Sequence, residues 1–198
     1  MLGQRIITAL LMLAVLVPAV FYPVTPPFLA IALVLIAAGA WEWARMNQTS
    51  FSASVLFGVL CAALCALAWF AGGIHTSMRM LWILVGCSWV LVGALLLHAG
   101  VAAWSSVPRV IRLAGGLIAL STAWLAVAQA RTVGVNFLFS TLILVWVADI
   151  FAYFTGRAFG GKFIARKLAP TISPGKTWEG ALGGMLGVIA CAFIWLWA

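Results

Sequence analysis

The feature that most constrains this chain is the length of its stretches lacking Asp, Glu, Lys and Arg: residues 6–41, 46–78, 80–108, 113–130, 132–148 and 180–198. A helix crossing the hydrocarbon core of a bilayer needs roughly 20 predominantly apolar residues. Proline, glycine and polar clusters subdivide the longer stretches. The spacing predicts spans at 6–22, 27–44, 53–71, 80–97, 113–130, 134–156 and 178–197. The expected fold class is therefore all-α and polytopic. It has about seven transmembrane helices in a single transmembrane domain over 1–198, with a basic cytoplasmic loop before the last helix.

Charge excludes other classes. Charged residues make up 7% of the chain, against about 25% in a soluble domain. The net charge of +8 does not imply nucleic acid, because such a face needs basic residues clustered on a soluble fold. With the N-terminus inside, the inner side holds Arg5, Arg45, Arg109, Arg112, Arg157, Lys162, Arg166, Lys167 and Lys176, and the outer side only Arg79 and Arg131. That asymmetry predicts a cytoplasmic N-terminus and an outward-facing C-terminus. The first apolar stretch lacks a small-residue cleavage site and leads into Pro23-Val24-Thr25-Pro26-Pro27, which predicts a retained helix rather than a signal peptide.

Several residue groups have a packing explanation. Cys61 and Cys65 fall one helical turn apart with no third ligand nearby, and neither His75 nor His98 has metal-site spacing, so small buried residues are expected there. Gly58, Gly86, Gly93, Gly115, Gly116, Gly183, Gly184 and Gly187 lie within spans and predict close helix contacts. Trp41, Glu42 and Trp43, with Arg45 close by, predict an interfacial anchor.

The chemistry concentrates elsewhere. Glu42, Asp149 and Glu179 are the only carboxylates, and the predicted topology puts all three at cytoplasmic span ends. An acid inside an apolar span is costly unless paired or hydrated, so Asp149 calls for a function. On a helix it shares a face with Ala152, Tyr153 and Gly156, two of them small enough to admit a neighbour.

The stretch 156–180 carries five of the eleven basic residues. Attraction to anionic lipid headgroups, worth roughly 1 kcal/mol per basic residue near the surface, explains part of that cluster. Within it, Ser173 is placed to cap a helix with Pro174 at the first position, opening the seventh span beside Lys176 as a phosphate site. Gly175-Lys176-Thr177 is not a P-loop. Pro170 stands where that motif needs glycine, and a membrane helix precedes it instead of a strand. Phosphate attraction, two acids suited to a divalent cation and a lipid interface together predict chemistry on a phospholipid headgroup.

Three blocks then resemble a known family: Trp146-Val147-Ala148-Asp149-Ile150-Phe151-Ala152-Tyr153-Phe154-Thr155-Gly156-Arg157, Lys167-Leu168-Ala169-Pro170, and Ile172-Ser173-Pro174-Gly175-Lys176-Thr177-Trp178-Glu179-Gly180. They closely resemble bacterial phosphatidate cytidylyltransferase (CDP-diacylglycerol synthase), as do Gln4-Arg5-Ile6-Ile7-Thr8-Ala9 and Trp41-Glu42-Trp43-Ala44. The resemblance implies transfer of CMP from CTP to phosphatidate, with Mg2+, by a multi-pass homodimer in the bacterial inner membrane whose site faces the cytoplasm. It implies catalytic roles for Asp149, Lys176 and Glu179, and phosphate binding by Ser173, Gly175, Lys176, Thr177 and Arg157. Asp149 and Glu179 are the implied metal ligands. The family's chief signature is a Ser, a Lys-Arg pair, a Lys-Asp pair, a His-Gly-Gly and an Asp-Arg-x-x-Asp-like ending. It does not occur in these 198 residues, so the chain is expected to correspond to the family's N-terminal two-thirds, without the usual metal-binding aspartates. A catalytically inactive truncated relative or an assembly subunit is an alternative expectation. A transporter is a weaker one, because its ionisable groups would lie near the bilayer midplane.

Overall fold

The computed structural model describes residues 2–197 and, for residues 2–5, Thr8 and Ala9, the backbone alone, so the Arg5 side chain counted above lies outside the described residues. The chain forms α1 (Leu2–Phe21), α2 (Pro26–Met46), α3 (Phe51–Phe70), α4 (Arg79–Ser106), α5 (Arg109–Val133), α6 (Val135–Phe159) and α7 (Trp178–Trp197). There is no strand among the described residues. Helices α2 to α7 are each long and apolar enough to cross a membrane, whereas the apolar stretch of α1, Leu10–Phe21, is shorter. The chain is a multi-pass, all-α membrane protein.

Local chemistry sets several boundaries. Pro26 and Pro27 occupy the first positions of α2, where a missing N–H costs nothing. Ser50 caps α3, its hydroxyl accepting from the Ala53 N–H at 3.3 Å. The expected fourth span, 80–97, is too short. Helix α4 runs on to Ser106 through a break at Gly100, where φ is 72° and ψ −176°. Only glycine adopts that backbone region readily, so the chain changes direction there and then resumes a helix.

The chain forms two compact units. The first comprises Met1–Ser77 and Pro108–Leu138, with α2, α3 and α5 at its centre around buried Leu29, Ala40, Ala44, Cys61, Cys65 and Ala128. Both cysteines are packing residues, with the Cys61 thiol 3.7 Å from the Ser121 hydroxyl. The Trp43 indole fills the space where Gly116 has no side chain, and its Nε1 donates to the Arg112 carbonyl at 3.0 Å. Arg45 stacks on Trp41, its guanidinium carbon 4.9 Å from the ring centre.

Arg131 has a structural role that the charge count did not foresee. It was counted only as an outer-side charge, and it proves to be buried, donating from Nε to the Val20 carbonyl at 3.0 Å and from Nη2 to the Tyr22 carbonyl at 2.7 Å. Carbonyls at a helix C-terminus have no intrahelical partner and carry partial negative charge, so a guanidinium fits that end of α1.

The second unit comprises Met78–Val107 and Phe139–Ala198. In it α6 and α7 form a hairpin whose backbones touch. A Cβ added at Gly184 would stand 2.8 Å from the Ala148 carbonyl oxygen, and one at Gly180 would stand 2.9 Å from that of Ala152. Gly183 lies against Thr155 and Gly187 against Phe151. Not every span glycine packs this way: at Gly86, Gly93 and Gly115 no described neighbour lies within 4 Å of an added Cβ.

Candidate functional site

The α6–α7 hairpin lies within the second unit and carries every site residue expected from the sequence: Asp149 and Arg157 on α6, Ser173, Gly175, Lys176 and Thr177 in the turn, and Glu179 on α7. Helix α6 ends at Gly160-Gly161, with the Gly160 N–H donating to the Gly156 carbonyl at 3.0 Å. Gly161 has φ 79°, the left-handed residue that commonly closes a helix. The return arm is pinned to the outgoing one. The Leu168 N–H donates to the Lys176 carbonyl at 3.2 Å, and the Ser173 N–H to that of Ala169 at 2.8 Å. The Lys167 ammonium donates to the Pro174 carbonyl at 2.7 Å.

Ser173 does not cap α7. Its carbonyl accepts from the Lys176 N–H at 3.1 Å, closing a tight turn with Pro174 and Gly175 at the centre. Proline's fixed φ suits the second position of such a turn. The cap falls to Thr177, whose hydroxyl accepts from the Gly180 N–H at 3.1 Å before α7 starts at Trp178. The helix opens two residues after Lys176, four residues later than the serine-cap reading requires.

This fold brings Lys176 to Asp149. The ammonium lies 4.0 Å from Asp149 Oδ1, with the side chains 62% and 83% exposed respectively. Neither side chain is covered by the rest of the protein, so both groups are accessible to a ligand. One turn along α6, the Arg157 guanidinium donates to the Tyr153 hydroxyl at 2.9 Å, and both side chains are exposed. Ser173 and Thr177 are half-buried and Gly175 is exposed.

Glu179 has a different environment. It is 7% exposed, and its Oε1 accepts from the N–H groups of Phe163 at 3.1 Å and Ile164 at 2.8 Å. Its Oε2 is buried without a hydrogen-bond partner. The residue fastens the outgoing arm of the turn to the first turn of α7, a role absent from the sequence reading. Its burial fits a clamp better than an open ligand.

Among the described residues no three His, Cys, Asp or Glu side chains converge as a metal site. Magnesium is commonly bound through one or two carboxylates, with substrate phosphates and water completing the shell. Exposed Asp149 has the chemistry for such a ligand. Glu179 has one oxygen already engaged by backbone and a second that lacks a partner.

The sequence also gave no notice of Gly100 beside this turn. A Cβ there would stand 2.9 Å from the Thr171 hydroxyl, so the break in α4 touches the return arm. The available signal was a glycine three residues beyond the expected end of the fourth span at residue 97.

Comparison with known proteins places these features in a family. The chain is 36% identical over 197 residues to the phosphatidate cytidylyltransferase of Pseudomonas aeruginosa, covering 93% of this chain and 67% of that protein. The Haemophilus influenzae protein of the same name is 34% identical over 224 residues, covering 99% of this chain and 73% of the relative. A shorter match, 50% identical over 56 residues, links it to the Brucella abortus protein of that name. No solved structure matches. The sequence model of the cytidylyltransferase family matches residues 3–198, nearly the whole chain, and the chain belongs to that family.

Proposed function

We propose that this chain transfers CMP from CTP to phosphatidate, releasing pyrophosphate and forming CDP-diacylglycerol. The observation that carries the assignment to this site is the exposed Asp149–Lys176 pair at the opening of α7, in a family member whose relatives bear that activity in their names. In the reaction a phosphatidate oxygen attacks the α-phosphorus of CTP, and the bond to the β-phosphate breaks. Two anions must approach each other, so the site has to neutralise charge and hold the nucleophile in line.

Lys176 supplies an exposed cation just before the first turn of α7, a helix end that favours negative charge. Arg157 adds a planar donor suited to a second phosphate. Ser173, Gly175 and Thr177 shape the turn so that a phosphate can approach its backbone. Mg2+, held through Asp149, would shield the phosphates and the leaving pyrophosphate. Asp149 also orients Lys176, while Glu179 keeps the turn in place. The protein works as a homodimer in the bacterial inner membrane, with the site on the cytoplasmic side favoured by the basic-residue asymmetry.

The test is incorporation of labelled CTP into chloroform-soluble lipid by the purified chain in detergent with phosphatidate and magnesium. Lys176→Met and Asp149→Asn are expected to reduce turnover more than tenfold, equivalent to over about 1.4 kcal/mol of transition-state stabilisation. Their melting temperatures should stay near the parent value, as an exposed pair requires. Background incorporation by the folded parent chain would refute the reading. Unchanged turnover and magnesium dependence in Asp149→Asn would remove that residue's role.

A further inference from the structure

The outgoing arm of the α6–α7 turn presents a surface that catalysis does not use. Phe159 is 47% exposed, Phe163 78% and Ile164 38%. The two phenyl rings lie 6.3 Å apart, and the Lys162 ammonium sits 5.6 Å from the centre of the Phe159 ring. Lys162, Arg166 and Lys167 are exposed around this apolar patch. No acidic residue occurs between Asp149 and Glu179, and Glu179 is buried beneath the turn, so the surface is apolar at its centre and cationic at its rim.

The patch is also held in shape. Glu179 accepts the Phe163 and Ile164 N–H groups from inside, which leaves both side chains on the open side of a fixed backbone. Lys167 gives one proton to the Pro174 carbonyl and keeps two for another acceptor. Such apolar exposure is unfavourable in water. However, the arm connects two helices that each qualify as membrane spans, which puts it at the bilayer surface by connectivity alone.

We propose that the Phe159–Lys167 arm is a docking surface for anionic phospholipid. Phe159, Phe163 and Ile164 enter the boundary between headgroups and acyl chains, and Lys162, Arg166 and Lys167 engage lipid phosphates. The occupant follows from charge complementarity: an apolar wedge ringed by cations matches an anionic headgroup layer and repels a basic partner. The surface concentrates anionic lipid one turn of chain away from Lys176. This inference does not rest on the transferase reading, because lipid contact is measured on protein that need not turn over.

The test uses the full chain in vesicles of phosphatidylcholine, alone or mixed with phosphatidylglycerol, with the photoreactive residue p-benzoylphenylalanine placed at Phe163. Irradiation is followed by mass spectrometry of the adducts, and the same probe at Leu196, exposed near the far end of α7, marks correctly inserted protein. The Phe163 probe is expected to capture lipid, with phosphatidylglycerol enriched over its bulk share by roughly fivefold, the factor one basic residue near the surface supplies. Combining Lys162→Gln, Arg166→Gln and Lys167→Gln should return the ratio to the bulk share while the Leu196 adducts stay unchanged. Adducts to protein alone, or no adduct, at Phe163 in inserted protein would overturn the proposal. So would phosphatidylglycerol captured only in its bulk proportion, or an enrichment that survives loss of the three charges.

Discussion

Replacing Glu179 with alanine removes the acceptor on which the Phe163 and Ile164 amides rest. Hydrogen bonds to a charged group contribute about 1.5–3 kcal/mol each when intact. Two are lost here, at 3.1 and 2.8 Å. Water can reach the amides of two exposed residues, and alanine also relieves the cost of a buried Oε2 without a partner. Both effects pull the net value down to about 2 kcal/mol of local stability, or roughly a 30-fold rise in the opening equilibrium. Hydrogen exchange of peptides spanning 160–168 in detergent measures this directly. Exchange at Phe163 and Ile164 should accelerate by about that factor, with the body of α6 unaffected. Glu179→Gln keeps a neutral acceptor and should show roughly half of the free-energy effect. Unchanged exchange in Glu179→Ala would refute the clamp. If Glu179→Gln also altered magnesium dependence, the carboxylate would be acting as a metal ligand instead.

Three further substitutions test how the helices are held. Gly184→Val forces a side chain into the Ala148 carbonyl and should lower stability by about 1–3 kcal/mol, read as a reduced melting temperature, whereas Gly86→Ala, with open space around it, should change little. Arg131→Leu leaves the Val20 and Tyr22 carbonyls without their donor and should cost about 1–3 kcal/mol for each one that stays buried, seen as faster proteolysis near residues 20–25. Protection there equal to the parent's would show that the guanidinium is not what fastens α1.

The helices were legible because lack of charge over long stretches leaves a membrane chain few alternatives, and because the Pro23–Pro27 segment separates the first two in the sequence. The fourth span was ended too early, at residue 97, because a glycine beyond a helix end and one that breaks a continuing helix look alike in sequence. Ser173 and Thr177 are both acceptable caps by residue type. The choice between them depends on the Ser173–Lys176 turn, which is set by hydrogen bonds to Ala169 and Leu168 rather than by local preference. Arg131 was assigned by a rule about loop charges, while its position is fixed by carbonyls more than a hundred residues earlier. At the site, Asp149 and Lys176 could be nominated individually by cost and by motif. Their proximity could not, because it depends on the packing of α6 against α7. Glu179 was nominated for its charge, and its structural work became visible only once its backbone partners were known.

The bare face of α7 has a consequence for the geometry of the acid and the lysine. With Gly180, Gly183, Gly184 and Gly187 turned toward α6, the hairpin has neither bulk to keep its two helices apart nor slack to let them drift. Sliding one helix past the other by a single turn, about 5.4 Å, would carry Lys176 well out of reach of Asp149. The separation between the two charged groups is thus metered by a row of missing side chains deeper in the bilayer, and a methyl group added there would be felt at the surface as a change in aim.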